Sequence, residues 1–560
     1  LPIIEHAEFG RNVPDEAMPD EDKMNLGKIY HMGKEEAAGL ILNRQAMASH
    51  TFITGSTGTG KSNAVYHLLD EITKNGQTTF LVVEPAKGEY KNVFGNCTDA
   101  QVFGTNPRET PLLRMNPFAF PENIHILEHI DRLVEIFNAC WPMYAAMPAV
   151  LKDAIERSYQ KVGWDLRNSE SEKGIFPTFF DLLDILPGVI EESHYSKDTQ
   201  SDYVGALCTR VKSLTNGIYG SVLCAEDALS DAEMFDQNVI VDLSRVGSME
   251  TKSLLMGILV MKLQEYRMCS SGMNSRLRHV TVLEEAHNLL RKTSAEQSQE
   301  GANLQGKSVE MLANAIAEMR TYGEGFIIAD QAPGLLDMSV IRNTNTKIIL
   351  RLPDEEDRKL VGKSAALKEA QIDELSKLPL GVAAVYQNEW PEAVLCKIEA
   401  YPMPENAVYH KPSKMPHEIN AEFVFGQLAV GKELKPLSSS EMEQLKLWLK
   451  RHETVLKPED SRYLERVFAG GELDVAKTRK AVFDFFGGIG TVVDYCAAAK
   501  KSLTPRKEFL EQLQGQYGLK AAAADWVLNS VISMGMSLNP DAKAVDNLRT
   551  NFEQQGGRVL

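Results

Sequence analysis

Short, nearly unbroken apolar runs recur along much of the chain. They are His50-Thr51-Phe52-Ile53-Thr54, Thr78-Thr79-Phe80-Leu81-Val82-Val83, Gln101-Val102-Phe103, Asn238-Val239-Ile240-Val241-Asp242-Leu243, His279-Val280-Thr281-Val282-Leu283 and Gly325-Phe326-Ile327-Ile328-Ala329-Asp330. Such runs lack the alternation of a strand with one wet face. Between them lie helical patterns, among them 63–70, with an apolar stripe at Val65, Leu68 and Leu69, and 251–268. Apolar strands separated by helices predict an α/β protein built on a parallel sheet covered on both faces. Thr346 to Arg351 and Gly381 to Tyr386 predict two further strands of the same sheet.

The remaining segments read differently. Residues 1–49 form an acidic, proline-containing lead-in with one short strand, 28–32, and a polar connection into the core. The core is then split into 50–104 and 236–400 by a mostly helical insertion, 105–235, with long helical patterns over 126–140 and 149–163. Pro402, Pro404, Pro412 and Pro416 mark a linker over 401–437. Residues 438–560 read as a C-terminal helical region opening on a Ser438-Ser439-Ser440-Glu441 cap, with an inter-helix turn at Gly487-Gly488-Ile489-Gly490.

Composition narrows the function. No apolar run among the 560 residues is long enough to span a bilayer. The seven cysteines are scattered with no C-x-x-C, which argues for reduced cytoplasmic thiols and against a thiolate zinc site. A net charge of −17 excludes a general polyanion binder, so any nucleic-acid contact must sit on a locally basic surface. The chain opens on Leu1, as if it began inside a longer product.

The sharpest chemistry lies after the first run. Gly55-Ser56-Thr57-Gly58-Thr59-Gly60-Lys61-Ser62 fits G-x-x-x-x-G-K-[ST] between a strand and a helix. Glycines let the backbone curl until its N–H groups face a phosphate, and the helix N-terminus adds partial positive charge. These eight residues and Asn63 are the nucleotide-binding set. Lys61 reaches the β- and γ-phosphates of ATP, and Ser62 offers a hydroxyl to Mg²⁺. Loops at the carboxyl ends of such strands face the ligand. Glu284 and Glu285, at the tip of the 279–283 strand, supply an acidic metal partner, acting through a bound water, and a group that orients or deprotonates the attacking water. Gln331, at the neighbouring tip, is placed to touch the γ-phosphate or that water. Arg320, Arg342 and Arg351 are candidates for transition-state charge supplied by a neighbouring subunit. His125-Ile126-Leu127-Glu128-His129 also fits H-x-x-E-H, a zinc-protease pattern, with no other ligand cluster to support it.

Residues 50–62, 279–290 and 317–352 together resemble the HerA/FtsK group of DNA-translocating ATPases, and HerA most. The matching residues are His50, Glu284-Glu285-Ala286-His287, Glu318-Met319-Arg320-Thr321-Tyr322-Gly323, Gln331, Asn345 and Arg351. Family members commonly carry Asp where Glu284 stands. The resemblance implies a RecA-like P-loop fold, a homo-hexameric ring acting on double-stranded DNA with ATP and Mg²⁺, and Arg320 or Arg351 acting across the subunit interface. It further implies a partner nuclease or a sirtuin-like NAD-consuming effector, in DNA end processing or bacterial antiviral operons. Residues 1–49 stand where the family's barrel cap would be, and 401–560 fall outside the match. In such a ring Lys87, Lys91, Arg291, Lys292 and Lys307 are the expected phosphate contacts. The competing reading is an ATP-gated hexameric scaffold that regulates an effector without moving along DNA; a secretion-coupling motor would need membrane spans.

Overall fold

The computed structural model describes residues 6–14, 18–97, 99–144, 146–171, 174–225, 228–293, 304–403, 407–411, 419–430, 434, 436–437 and 439–559. Within residues 1–411 the apolar runs become the centre of one large sheet. Its strands are β1 (Lys23–His31), β2 (Lys34–Asn43), β3 (Thr51–Thr54), β4 (Thr79–Glu84), β5 (Ala100–Gly104), β8 (Asn238–Asp242), β9 (His279–Glu284), β10 (Glu324–Asp330), β11 (Thr346–Ile349), β12 (Val382–Gln387) and β13 (Val394–Ile398). Two short strands in the insertion, β6 (Trp164–Asp165) and β7 (Glu170–Ser171), pair only with each other. The order across the large sheet is β2-β1-β13-β12-β11-β3-β10-β9-β4-β8-β5. From β11 to β5 every neighbour runs parallel, whereas β12, β13, β1 and β2 extend one edge antiparallel.

Burial explains the runs. Alternate side chains of each central strand enter different cores: Phe52, Leu81, Val83, Val239 and Val241 on one face, Ile53, Phe80, Val82 and Ile240 on the other. With both faces covered, neither set is free to be polar. The first core is shared with the insertion, whose helices include Ile126–Cys140, Met147–Lys161 and Phe179–Glu192. The second takes the P-loop helix, Lys61–Thr73, and the β1–β2 hairpin.

Three readings change. The polar connection over 33–49 contains β2, because Met32 and Gly33 both take positive φ (48° and 80°) and reverse the chain tightly. Its first half is mostly exposed, while Leu40 and Leu42 are buried, so its pattern is too weak to read as a strand. The strand at 382–387 joins the sheet antiparallel, and β13 beside it is an addition. The proline-marked linker contains the helix Ala421–Val430, whose Val424, Phe425 and Leu428 are buried in the hydrophobic cluster of the second unit, Pro412–Leu560.

That second unit is helical, ending with Ala542–Gln554. The chain turns at Gly487 (φ 88°) between the helices Val475–Phe485 and Gly488–Ala498. The cap read at Ser438 lies outside the described residues. Among the described residues no single helix is long and apolar enough to cross a membrane.

Candidate active site

Parallel register brings the functional residues to one edge. Asp330 pairs with Thr54, Ala329 with Glu284, and Glu84 with Asp242, so the carboxyl ends of β3, β10, β9, β4 and β8 finish level. The P-loop leaves β3 there and enters its helix at Lys61. Gly58 and Gly60 take φ of 75° and 105°, a region that favours glycine. A Cβ on Gly55 would stand 2.7 Å from both Leu350 Cβ and Thr59 Oγ1. The loop is pinned by its neighbour strand: the Ser56 amide and hydroxyl both donate to the Arg351 carbonyl, at 3.0 and 3.1 Å.

Lys61 is buried, with its Nζ 3.0 Å from Glu285 Oε1 and 3.7 Å from Glu284 Oε2. Glu285 also accepts from Gln331 Nε2 at 2.5 Å, and Gln331 Oε1 accepts from the Thr57 hydroxyl at 2.6 Å. Lysine, carboxylate, amide and threonine thus link the P-loop to the tips of β9 and β10. Behind them the His287 ring and amide both donate to Asp330 Oδ2 at 2.9 Å, and this hydrogen bond raises the imidazole above its ordinary range. Ligating atoms of Glu285, His287 and Asp330 lie within 4.8 Å of one another, but the contacts just described already satisfy them.

Around Glu284 the site is acidic and buried. Burial raises its carboxyl, opposed by Lys61. Burial pushes Glu84 up to about 8, although it accepts from the amides of Glu89 and Tyr90. Burial also works against the Asp242 carboxylate, but hydrogen bonds from Lys91 and Ser244 overcome it and hold this group low. Ser62 and Glu284 line one small cleft with Lys61, and the oxygens they offer, a hydroxyl and a carboxylate, are hard donors that fit Mg²⁺.

Other predicted residues fall elsewhere. The Asn63 amide is occupied by the Glu399 carbonyl and the Tyr401 amide, so it fastens the chain after β13 to the P-loop helix. Arg320 lies in the turn before β10 and Arg342 in the helix before β11, both at the amino edge; the rise of β10 puts roughly 20 Å between the edges. Arg351 follows β11 at the carboxyl edge, where its carbonyl holds Ser56. Lys91 is not a free phosphate contact: its Nζ bridges Asp242 at 2.5 Å and Glu109 at 3.2 Å. Lys87, Arg291, Lys292 and Lys307 are exposed. The H-x-x-E-H residues do not converge. His125 caps its helix by accepting from the Leu127 amide, Glu128 pairs with Arg132, and buried His129 donates to Glu265. The loop 84–91, which holds Tyr90, reads from the sequence as facing nucleotide or polymer, but neither Tyr90 nor Asp242 is marked there as a site residue.

Comparison with known proteins agrees with this geometry. Residues 24–326 match the family described as "Helicase HerA, central domain". A probable helicase of Methanocaldococcus jannaschii is 23% identical over 436 residues, covering 71% of this chain and 76% of that protein. The DNA double-strand break repair helicase HerA of Sulfolobus acidocaldarius is 25% identical over 392 residues, covering 68% and 69%. Among solved structures, VirB4 of Thermoanaerobacter pseudethanolicus shares the fold, with a TM-score of 0.52 at 18% identity over 69% of this chain and 98% of that one.

Proposed function

The chain belongs to the HerA helicase family and is a P-loop ATPase, and from that premise we propose that it is the motor subunit of a cytoplasmic hexameric ring that moves along double-stranded DNA. The observation that carries the reading is the Lys61–Glu285–Gln331–Thr57 network at a single sheet edge. In it the carboxylate that would activate water is neutralised by the lysine that would hold phosphate. Phosphates of ATP compete for Lys61 and leave Glu285 free to orient water and accept its proton. Gln331 bridges Glu285 to Thr57, so it senses the γ-phosphate and passes its loss to β10. Ser62, and Glu284 through a water, would hold magnesium, which would neutralise charge at the phosphates. Arg320 or Arg351 completes this charge across the ring interface, and the distance of Arg320 from the P-loop edge of its own chain fits Arg320 for that role. Lys87, Arg291, Lys292 and Lys307 meet DNA phosphates without reading sequence. A nuclease or a sirtuin-like effector, in end processing or antiviral defence, is the partner this reading assigns.

The test compares two variants. Lys61→Ala removes ATP binding, whereas Glu285→Gln keeps ATP bound and lowers turnover at least a hundredfold, because it raises only the barrier. Affinity and turnover are measured for both, and normal turnover by Glu285→Gln refutes the assignment.

A further inference from the structure

Glu284 is a long side chain asked to hold one position at the tip of β9, where it is 6% exposed. Its two oxygens have different partners. Oε2 faces Lys61 Nζ at 3.7 Å, and Oε1 accepts the Tyr90 hydroxyl at 2.5 Å. Tyr90 is itself immobilised. Its side chain is 2% exposed, and its amide donates to Glu84 at 3.1 Å. Its ring meets Tyr66 edge to face, with centroids 5.0 Å apart. Tyr66 stands one turn beyond Ser62 on the P-loop helix. Glu84 closes the turn that carries Tyr90 by accepting from Glu89 as well, at 2.8 Å. A rigid, buried O–H therefore meets one carboxylate oxygen and leaves the other toward the P-loop.

We propose that Tyr90 is a positioning residue for the magnesium site: its hydroxyl fixes the Glu284 carboxylate so that Oε2 is presented beside Lys61 and Ser62. This rests on the reading of Glu284 as a metal partner. A partner that orients a ligand contributes to metal affinity without touching the ion. A merely structural Tyr90 would contribute its ring, which phenylalanine keeps.

The experiment uses the full chain with ADP and Mn²⁺ as the probe, free Mn²⁺ being counted by electron paramagnetic resonance. Tyr90→Phe weakens Mn²⁺ binding to the ADP complex about tenfold. It leaves ADP affinity in EDTA and the thermal midpoint unchanged. In a Glu284→Gln background the same substitution weakens Mn²⁺ no further, because the hydroxyl acts only through that carboxylate. Unchanged Mn²⁺ affinity in Tyr90→Phe, or an equal loss in the Glu284→Gln background, overturns the positioning role while leaving the metal site standing. A wild-type ADP complex that takes up no Mn²⁺ overturns the metal site and the positioning role together.

Discussion

Glu285 sits at φ 45° and ψ 51°, a left-handed conformation that is unfavourable for a side chain of this kind. The kink turns the chain out of β9 so that two successive carboxylates both face Lys61, which a regular strand, with side chains on alternate faces, would not allow. His50 is another residue with positive φ, at 65°, just before β3. Its Nδ1 accepts from the Phe326 amide at 3.0 Å, which ties β3 to β10. Burial pushes this imidazole down to about 4. Between its ordinary value and 4 the unfolded chain binds the proton and the folded chain does not. The contribution of His50 is therefore fully present above about pH 6.5 and is lost as pH falls to about 4, by roughly 3 kcal/mol. Urea unfolding at pH 7 and pH 4.5 checks this: His50→Asn should lose less stability than wild type over that interval. An equal loss in both contradicts a neutral, buried His50.

Between elements, the amino edge of the sheet is locked by charge. Arg267, from the helix Met249–Ser270, donates to Glu324 at 2.9 Å and to Asp236 at 2.8 Å, while the His279 ring and the Thr281 hydroxyl also meet Glu324. Burial alone would raise Glu324, but His279 and Arg267 reverse it and hold the group at about 2. Glu324→Ala takes from a buried guanidinium one of its two carboxylates, leaving Asp236, and should cost about 3 kcal/mol, whereas Arg267→Met with Glu324→Leu removes both buried charges and should cost less. Denaturant midpoints compare the two; a double variant at least as unstable as the single one contradicts the argument. None of this lock was legible in the sequence, since its partners are far apart in the chain. What was legible follows from burial and spacing. The strands buried on both faces announce themselves by apolar runs, and the P-loop by its glycines and Lys-Ser. The strands β2 and β13 and the helix Ala421–Val430 escaped because half-exposed edges and proline-flanked helices leave weaker patterns. Glu284 and Glu285 were legible as strand-tip acids, but Tyr90, which acts 194 residues away from Glu284, had no pattern to reveal it.

The whole protein carries a charge of −17, so the proposed hold on DNA must run through local basic surface. Lys91 is spent on Asp242 and Lys87 lies 3.9 Å from Glu89, whereas Arg291, Lys292 and Lys307 are exposed; the proposed function assigns Lys87, Arg291, Lys292 and Lys307 to DNA phosphates. A motor must turn the Glu285–Gln331 network into movement of DNA, and hydrolysis alone does not establish that. The decisive measurement is release of a triplex-forming strand from a duplex by the assembled protein, followed together with ATP turnover. The account predicts release with ATP, none with a non-hydrolysable analogue, and none by Glu285→Gln, which still binds ATP. Brisk ATP hydrolysis with the third strand left in place would contradict it and favour a scaffold gated by ATP.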